Sequence, residues 1–260
     1  MLLARSLLFT AVFYINTAVF LLLGSWLLFA PRSWAMAGLK AHARASMFWM
    51  RLICGTKLEV RGLERLPDRP FLIAAKHQSA WDTFALIPVF DDPALVMKAE
   101  LMKLPLYGWF STKFGMIPIK RETGPSALRE MLREAQMRLD DRREILVFPE
   151  GTRRLAHAEP DYKTGFLMMY DKLSVPCVPL ALNSGLFWPR NSQLRNAGTI
   201  VVEILPPIAA GLKRKEFAAR LESTVETATA ALVDEAIAAN PELSRHTASG
   251  QRDSGAEIKT

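Results

Sequence analysis

From Ser6 to Ala30 the chain carries no charged side chain, and Leu7, Leu8, Phe9, Val12, Phe13, Tyr14, Ile15 and Val19 to Leu23 fall within that stretch. As an α-helix the run would reach roughly 37 Å, against about 30 Å of bilayer hydrocarbon. Arg5 opens it, and Pro31 and Arg32 close it. A cleaved signal peptide is the competing reading, because Ala35-Met36-Ala37 has the form of a cleavage site. The apolar run is, however, about twice the length of a typical h-region of 7–15 residues, and only Arg5 precedes it. Retained, it is a membrane segment. Arg32, Lys40, Arg44 and Arg51 follow it, so the positive-inside rule puts the remainder on the cytoplasmic side.

The next stretch, Ser33 to Ile53, mixes Trp34, Met36, Leu39, Met47, Phe48, Trp49, Met50 and Leu52 with those basic residues. Tryptophan and arginine at helical spacing suit a helix lying among lipid headgroups; a helix packed on a soluble core reads similarly. Gly55 is expected to end it. Beyond Gly55, short apolar runs alternate with helical stretches, which defines an α/β domain. Strands are expected at 57–60, 71–75, 94–97, 116–119, 145–148, 178–181 and 200–204, and helices at 81–88, 101–114, 125–140, 165–173 and 214–239. Residues 1–56 thus read as an anchor, 57–240 as a catalytic domain and 241–260 as a disordered tail.

Composition narrows the function. The surplus of Lys+Arg 33 over Asp+Glu 26 gives a net charge of +7, yet the apolar residues gather at one end, unlike a nucleic-acid binder. Two cysteines, Cys54 and Cys177, lie outside any metal or redox spacing, so no metal is expected. His77 follows an apolar strand and precedes Gln78-Ser79-Ala80-Trp81-Asp82-Thr83. Residues five apart on one helix diverge by about 140°, so the two can meet only if His77 sits on the turn before it. With Ser79 as N-cap and Asp82 at N3, His77 can fold back onto the carboxylate, which frees Nε2 as a base. Phe148-Pro149-Glu150-Gly151-Thr152-Arg153-Arg154 is a turn with a guanidinium suited to phosphate. Lys98, Lys120 and Arg121 add cations at strand ends, an anion site if those ends coincide. G-x-S-x-G, G-x-G-x-x-G and G-x-x-x-x-G-K-[ST] are absent, so the nucleophile is expected to be a substrate hydroxyl and the reaction an acyl transfer.

Four segments, His77 to Asp82, Gly115 to Arg121, Phe148 to Arg153 and Val175-Pro176-Cys177-Val178-Pro179, occur in the order of the four motifs of the glycerolipid acyltransferases, and the chain resembles that family over residues 57–210. The resemblance implies a mixed, largely parallel sheet flanked by helices. It implies transfer of an acyl group from acyl-CoA or acyl carrier protein to the sn-2 hydroxyl of lysophosphatidic acid, with no cofactor and no acyl-enzyme. His77 would be the base and Asp82 its partner; Lys98, Arg121 and Arg153 would bind phosphate. Glu150, Gly151 and Thr152 would shape the glycerol site, and Val178 and Pro179 the acyl-donor side. The expected place is the inner membrane, with membrane lipids and not nucleic acid as partners; the oligomeric state is left open, a monomer being favoured. The family's two-helix membrane motif leaves open whether Ser6–Ala30 crosses the bilayer or lies in one leaflet. Lys76 departs from the Asn usual before the motif histidine. Another lysolipid acceptor, such as a lyso-ornithine lipid or lysophosphatidylglycerol, fits the same motifs, and a non-catalytic lipid-binding protein is the reading from a different class.

Overall fold

The computed structural model describes residues 1–120 and 125–249. Seven strands form one sheet in the order β1-β7-β6-β2-β5-β3-β4, with β1 Thr56–Arg61, β2 Leu72–Ala75, β3 Ala94–Lys98, β4 Ile117–Ile119, β5 Ile145–Val147, β6 Cys177–Leu182 and β7 Gly198–Ile204. Every pairing is parallel except β6 with β7. The sheet is therefore mixed and largely parallel, as expected. All seven strands fall where the short apolar runs predicted them: β2, β5 and β6 are continuous apolar runs buried on both faces, while β1 mixes polar and apolar residues and is partly exposed.

Side chains alternate across the sheet and build two cores. Ile73, Leu146, Val178 and Leu180 face one layer, and Leu72, Ile145, Val147 and Cys177 the other. The second layer is closed by α5 (Pro125–Asp140), α6 (Thr164–Leu173) and α8 (Arg214–Ala239), with Tyr170 stacked on Phe217 at a centroid distance of 3.5 Å. The first layer lies under α3 (Asp82–Ala85), α4 (Tyr107–Phe114) and the N-terminal helices α1 (Leu2–Leu23) and α2 (Arg32–Cys54). The short helix α7 (Ser184–Phe187) follows β6.

Two predicted helices are shorter than their periodicity suggests. The run 81–88 is helical only over α3, then passes into a 3-10 turn at Ile87–Val89, where Pro88 lacks the amide that would continue it. The run 101–114 breaks at Leu104-Pro105-Leu106 into a 3-10 turn, Ala99–Lys103, and α4. The tail also differs: Pro241–His246 forms a 3-10 helix with Leu243 and His246 buried, and the Ala248 amide donates to the Ala156 carbonyl. Its remainder, like Arg121, lies outside the described residues.

The apolar run folds as a hairpin rather than as one long rod. α1 has 22 residues, long and apolar enough to cross a membrane, and only Ser6 and Phe9 on it are buried. A 3-10 turn at Ser25–Leu28 and Pro31 reverse the chain, and α2 returns beside α1 to Gly55, whose φ of 76° accepts the left-handed C-cap that the sequence predicted. Asn16 Nδ2 donates to Ser46 Oγ at 2.8 Å, and Thr17 Oγ1 meets His42 Nε2 at 3.1 Å. α1 touches the α/β domain near both ends: Ser6 Oγ accepts from the Arg195 amide at 2.9 Å, and Phe20 lies 5.2 Å from the Phe110 ring. α2 packs on the core along one face and leaves the other exposed. Ala35, Met36, Ala43 and Met50 are buried, while Trp34, Phe48, Trp49 and Leu52 face outward.

Asp92 ties the hairpin to the sheet. Arg32 at the start of α2 donates twice to it, at 2.8 and 2.6 Å, and the buried Arg143 guanidinium lies 3.3 Å from its Oδ2. Arg143 also donates to the carbonyls of Asp92, Pro93, Phe114 and Gly115. Burial pushes its pKa down to about 10, with Asp92 opposing, so the charge persists at neutral pH. Removing that charge takes a donor from four carbonyls, of which Gly115 keeps Arg138 Nε at 2.9 Å. Arg143→Met is expected to lower stability by about 3 kcal/mol in a urea titration.

Candidate active site

The parallel strands β2, β5, β3 and β4 lie side by side and end on one sheet edge. That edge collects His77 after β2, the Pro149–Arg153 turn after β5, Lys98 at the end of β3 and Lys120 after β4. Strand spacing of about 4.8 Å sets Lys98 roughly 10 Å from the β2 line. This is the edge at which open α/β sheets hold their sites.

His77 Nδ1 lies 2.9 Å from Asp82 Oδ2. His77 does lie on a turn before the helix, but Ser79 is not the N-cap nor Asp82 the N3 residue: α3 begins at Asp82 with Trp81 as its N-cap, because Ser79 Oγ accepts from the Trp81 amide at 3.1 Å inside the turn and Asp82 Oδ2 accepts from the amides of Gln78 and Ser79 at 2.8 and 2.9 Å. Oδ1 accepts from Ser184 Oγ at 2.5 Å. Asp82 is fully buried, and these donors replace the water it has lost. A carboxylate so held keeps the Nδ1 proton on His77 and leaves Nε2, which makes no hydrogen bond among the described residues, as the basic nitrogen. The imidazole stacks on Phe148, with centroids 4.0 Å apart and planes inclined by 16°.

The hydroxyls nearest this base turn away from it. Ser184 donates to Asp82 and Ser79 donates to the Trp188 carbonyl at 2.9 Å. Neither serine is therefore hydrogen-bonded to His77 among the described residues. Gly151, with φ of 62°, takes the left-handed position of the following turn, which its missing Cβ permits. Arg153 emerges from that turn with its guanidinium uncommitted among the described residues, and its carbonyl accepts from Arg190 Nη1 at 2.8 Å. Lys98 is exposed at its strand end, and Thr152 is half-buried beside Gly151. Lys120 pairs loosely with Glu130 at 3.6 Å.

Three sequence expectations land elsewhere. Glu150 turns inward, 1% exposed, and contacts Lys76 instead of opening onto the edge. Val178 and Pro179 sit inside β6, paired with Ile73 and Ala74 of β2. Neither lines the cavity beside the site. That cavity, of about 340 Å³, lies between the hairpin and the domain, with Phe13, Phe20, Ala80, Thr83, Phe84 and Phe110 among its walls. Ser184, Arg190, Trp188 and Glu226 escaped the sequence reading; each is brought in from a distant element, and no local spacing announces it.

His77, with its buried aspartate partner, thus stands on a sheet edge that also carries Lys98, Lys120 and Arg153. Residues 57–183 match the family model described as Acyltransferase. The chain is similar to the 1-acyl-sn-glycerol-3-phosphate acyltransferase of Pseudomonas aeruginosa, 34% identical over 167 residues, covering 64% of this chain and 65% of the relative. It is also similar to the 1-acyl-sn-glycerol-3-phosphate acyltransferase of Saccharomyces cerevisiae, 30% identical over 172 residues, covering 64% of this chain and 56% of that one. The matched region is thus less than two thirds of these relatives' own length. The crystal structure of the 1-acyl-sn-glycerophosphate (LPA) acyltransferase PlsC from Thermotoga maritima has the same fold, with a TM-score of 0.75 at 24% identity over 89% of this chain and 98% of that one. Over residues 57–183 the chain is thus similar to the acyltransferase family, and over most of its length it shares the fold of a solved member.

The hydrogen bonds around Asp82 fix the tautomer. In nitrogen-15 NMR at neutral pH, His77 is expected to carry its proton on Nδ1, and Asp82→Ala should shift the ring toward the Nε2–H form.

Proposed function

We propose that the protein transfers an acyl group from acyl-CoA or acyl carrier protein to the sn-2 hydroxyl of lysophosphatidic acid, giving phosphatidic acid. The observation that carries this reading is the free Nε2 of His77 on the same strand edge as the uncommitted Arg153 and exposed Lys98, with both nearby serines committed elsewhere. The names of the relatives supply the acceptor.

In this reading His77 Nε2 takes the proton of the acceptor hydroxyl as its oxygen attacks the thioester carbonyl. The tetrahedral adduct collapses, the carbon–sulfur bond breaks, and the imidazolium returns the proton to the departing thiolate. Asp82 stabilises the imidazolium without taking its proton. Arg153 and Lys98, with Arg121 beyond the described residues, hold the phosphate. Gly151 and Thr152 shape the glycerol side of the turn. No metal or cofactor enters any step. The acyl chain occupies the cavity between the hairpin and the domain, beside Ala80 and Thr83 of the histidine turn. Val178 and Pro179 support the donor side from within β6.

Residues 1–56 serve as the membrane-docking unit of a catalytic domain that extends to about residue 240, working as a monomer at the cytoplasmic face of the inner membrane. α1 touches the domain near both ends, which favours its lying in one leaflet over its crossing the bilayer. Its exposed Leu, Ile and Tyr side chains then meet lipid directly, so the acceptor reaches the edge from the membrane and the anionic donor from the cytosol.

Two measurements test this. Purified protein given lysophosphatidic acid and acyl-CoA or acyl carrier protein is expected to yield phosphatidic acid by mass spectrometry, with His77→Ala at least about 100-fold slower. Turnover only of a different lysolipid would overturn the acceptor assignment. For docking, exposed Trp26 and Trp34 are the probes: changing both to Ala should weaken cosedimentation with anionic phospholipid vesicles about tenfold.

A further inference from the structure

Lys76 directly precedes the catalytic-site histidine and is only 3% exposed. An ammonium is a strongly hydrated charge, and burying one is costly unless its protons find acceptors. Here Lys76 Nζ donates to Glu150 Oε1 at 3.0 Å and to both carboxylate oxygens of Glu226, at 2.8 and 2.9 Å. Glu226 comes from α8, 150 residues away in sequence, and also accepts from the Tyr162 hydroxyl at 2.8 Å. One cation therefore joins β2, the turn after β5, and α8.

The Lys76 backbone reinforces the junction. Its amide donates to the Leu180 carbonyl at 2.9 Å, and the next carbonyl, that of His77, accepts from the Arg154 amide at 2.8 Å. His77 and the Glu150–Arg154 turn are thus linked twice, once by main chain and once through the buried ion cluster. The second oxygen of Glu150 is buried without a partner, so Lys76 is the only side chain hydrogen-bonded to this carboxylate among the described residues.

Resting on the acceptor reading above, we propose that Lys76 and Glu226 are positioning residues for the acceptor: the ammonium, clamped by Glu226 from α8, fixes Glu150 and through it the Gly151–Arg153 turn that presents phosphate-binding Arg153 beside His77. The groups that face Glu150 are Lys76 just after β2, Glu226 on α8 and Arg154 on its own turn; Tyr162 bridges to Glu226 and also lies near Glu222. Burial raises the Glu150 pKa, Lys76 opposes that rise, and Glu226 adds to it. Removing Lys76 should therefore raise it further, and neutralising Glu226 should lower it.

The experiment is steady-state kinetics on the full chain, with lysophosphatidic acid and acyl-CoA varied separately, for wild type, Lys76→Met and Glu226→Gln, each checked by thermal melting. Both variants are expected to raise the acceptor KM about tenfold and to leave the donor KM within about twofold. The carboxylate acts when ionised, so the acid limb of kcat/KM should move to higher pH in Lys76→Met and to lower pH in Glu226→Gln. Both displacements should vanish in a Glu150→Gln background. A general loss of packing would not move the limb in opposite directions. Unchanged acceptor KM in both variants, or equal rises for both substrates, would overturn the inference while leaving the acceptor reading intact. If wild type acylates a different lysolipid instead, the acceptor reading fails and the same KM criterion on that lysolipid decides the inference. Inertness toward every acceptor would remove both.

Discussion

The Asp82 carboxylate is the interaction on which the site depends. It has left water entirely, and it is stable as an anion only because donors converge on it from the His77 turn and from Ser184 after β6. That convergence joins two adjacent strands, β2 and β6, at their ends. The same bonds that make the carboxylate tolerable inside the protein hold the imidazole and select its tautomer. Stability and chemistry are therefore not separable at this residue. The sheet supplies the other half of the arrangement, because parallel strands bring the ends of β2, β5 and β3 to one edge and with them a base and cations from three distant parts of the chain.

Much of this was legible in order and little of it in depth. The strands were visible because apolar runs buried on two faces have few other places to go, and the His77–Asp82 turn was visible because its spacing is incompatible with a single helix. Gly55 was visible as a helix stop. Glu150 was not: a glutamate in a turn reads as exposed, and only the lysine before His77 and a glutamate 76 residues further on in α8 turn it inward. Ser184 and Trp188 had no signal, since their roles depend on which strand neighbours β2. The hairpin was half legible. The absence of charge announced a membrane segment, but Asn16, Thr17 and Phe20, which pin α1 to α2 and to α4, look like ordinary members of an apolar run.

The hairpin and the domain share one core. Phe9 packs edge-on against Trp188 at 5.5 Å, and the Trp188 carbonyl receives the Ser79 hydroxyl that belongs to the histidine turn. The element with the most exposed apolar surface is thus two contacts from the base. Asp92 adds a polar anchor at the far end of the hairpin, through Arg32 and Arg143. The exposed apolar face of the hairpin and the edge that carries His77 are thus parts of one packed core.

The stack of His77 on Phe148 has its own consequence. With one face covered by the phenyl ring and Nδ1 tied to Asp82, the imidazole cannot turn over, and its remaining lone pair points along a single line in the ring plane. In the proposed reaction a hydroxyl gives up its proton by arriving along that line. Regiochemistry then becomes a question of trajectory: among the hydroxyls of a polyol headgroup, the one that reacts is the one whose oxygen crosses the line while the rest of the molecule is held. Discrimination of this kind needs no pocket shaped to the whole acceptor, only a fixed ring and a fixed tether.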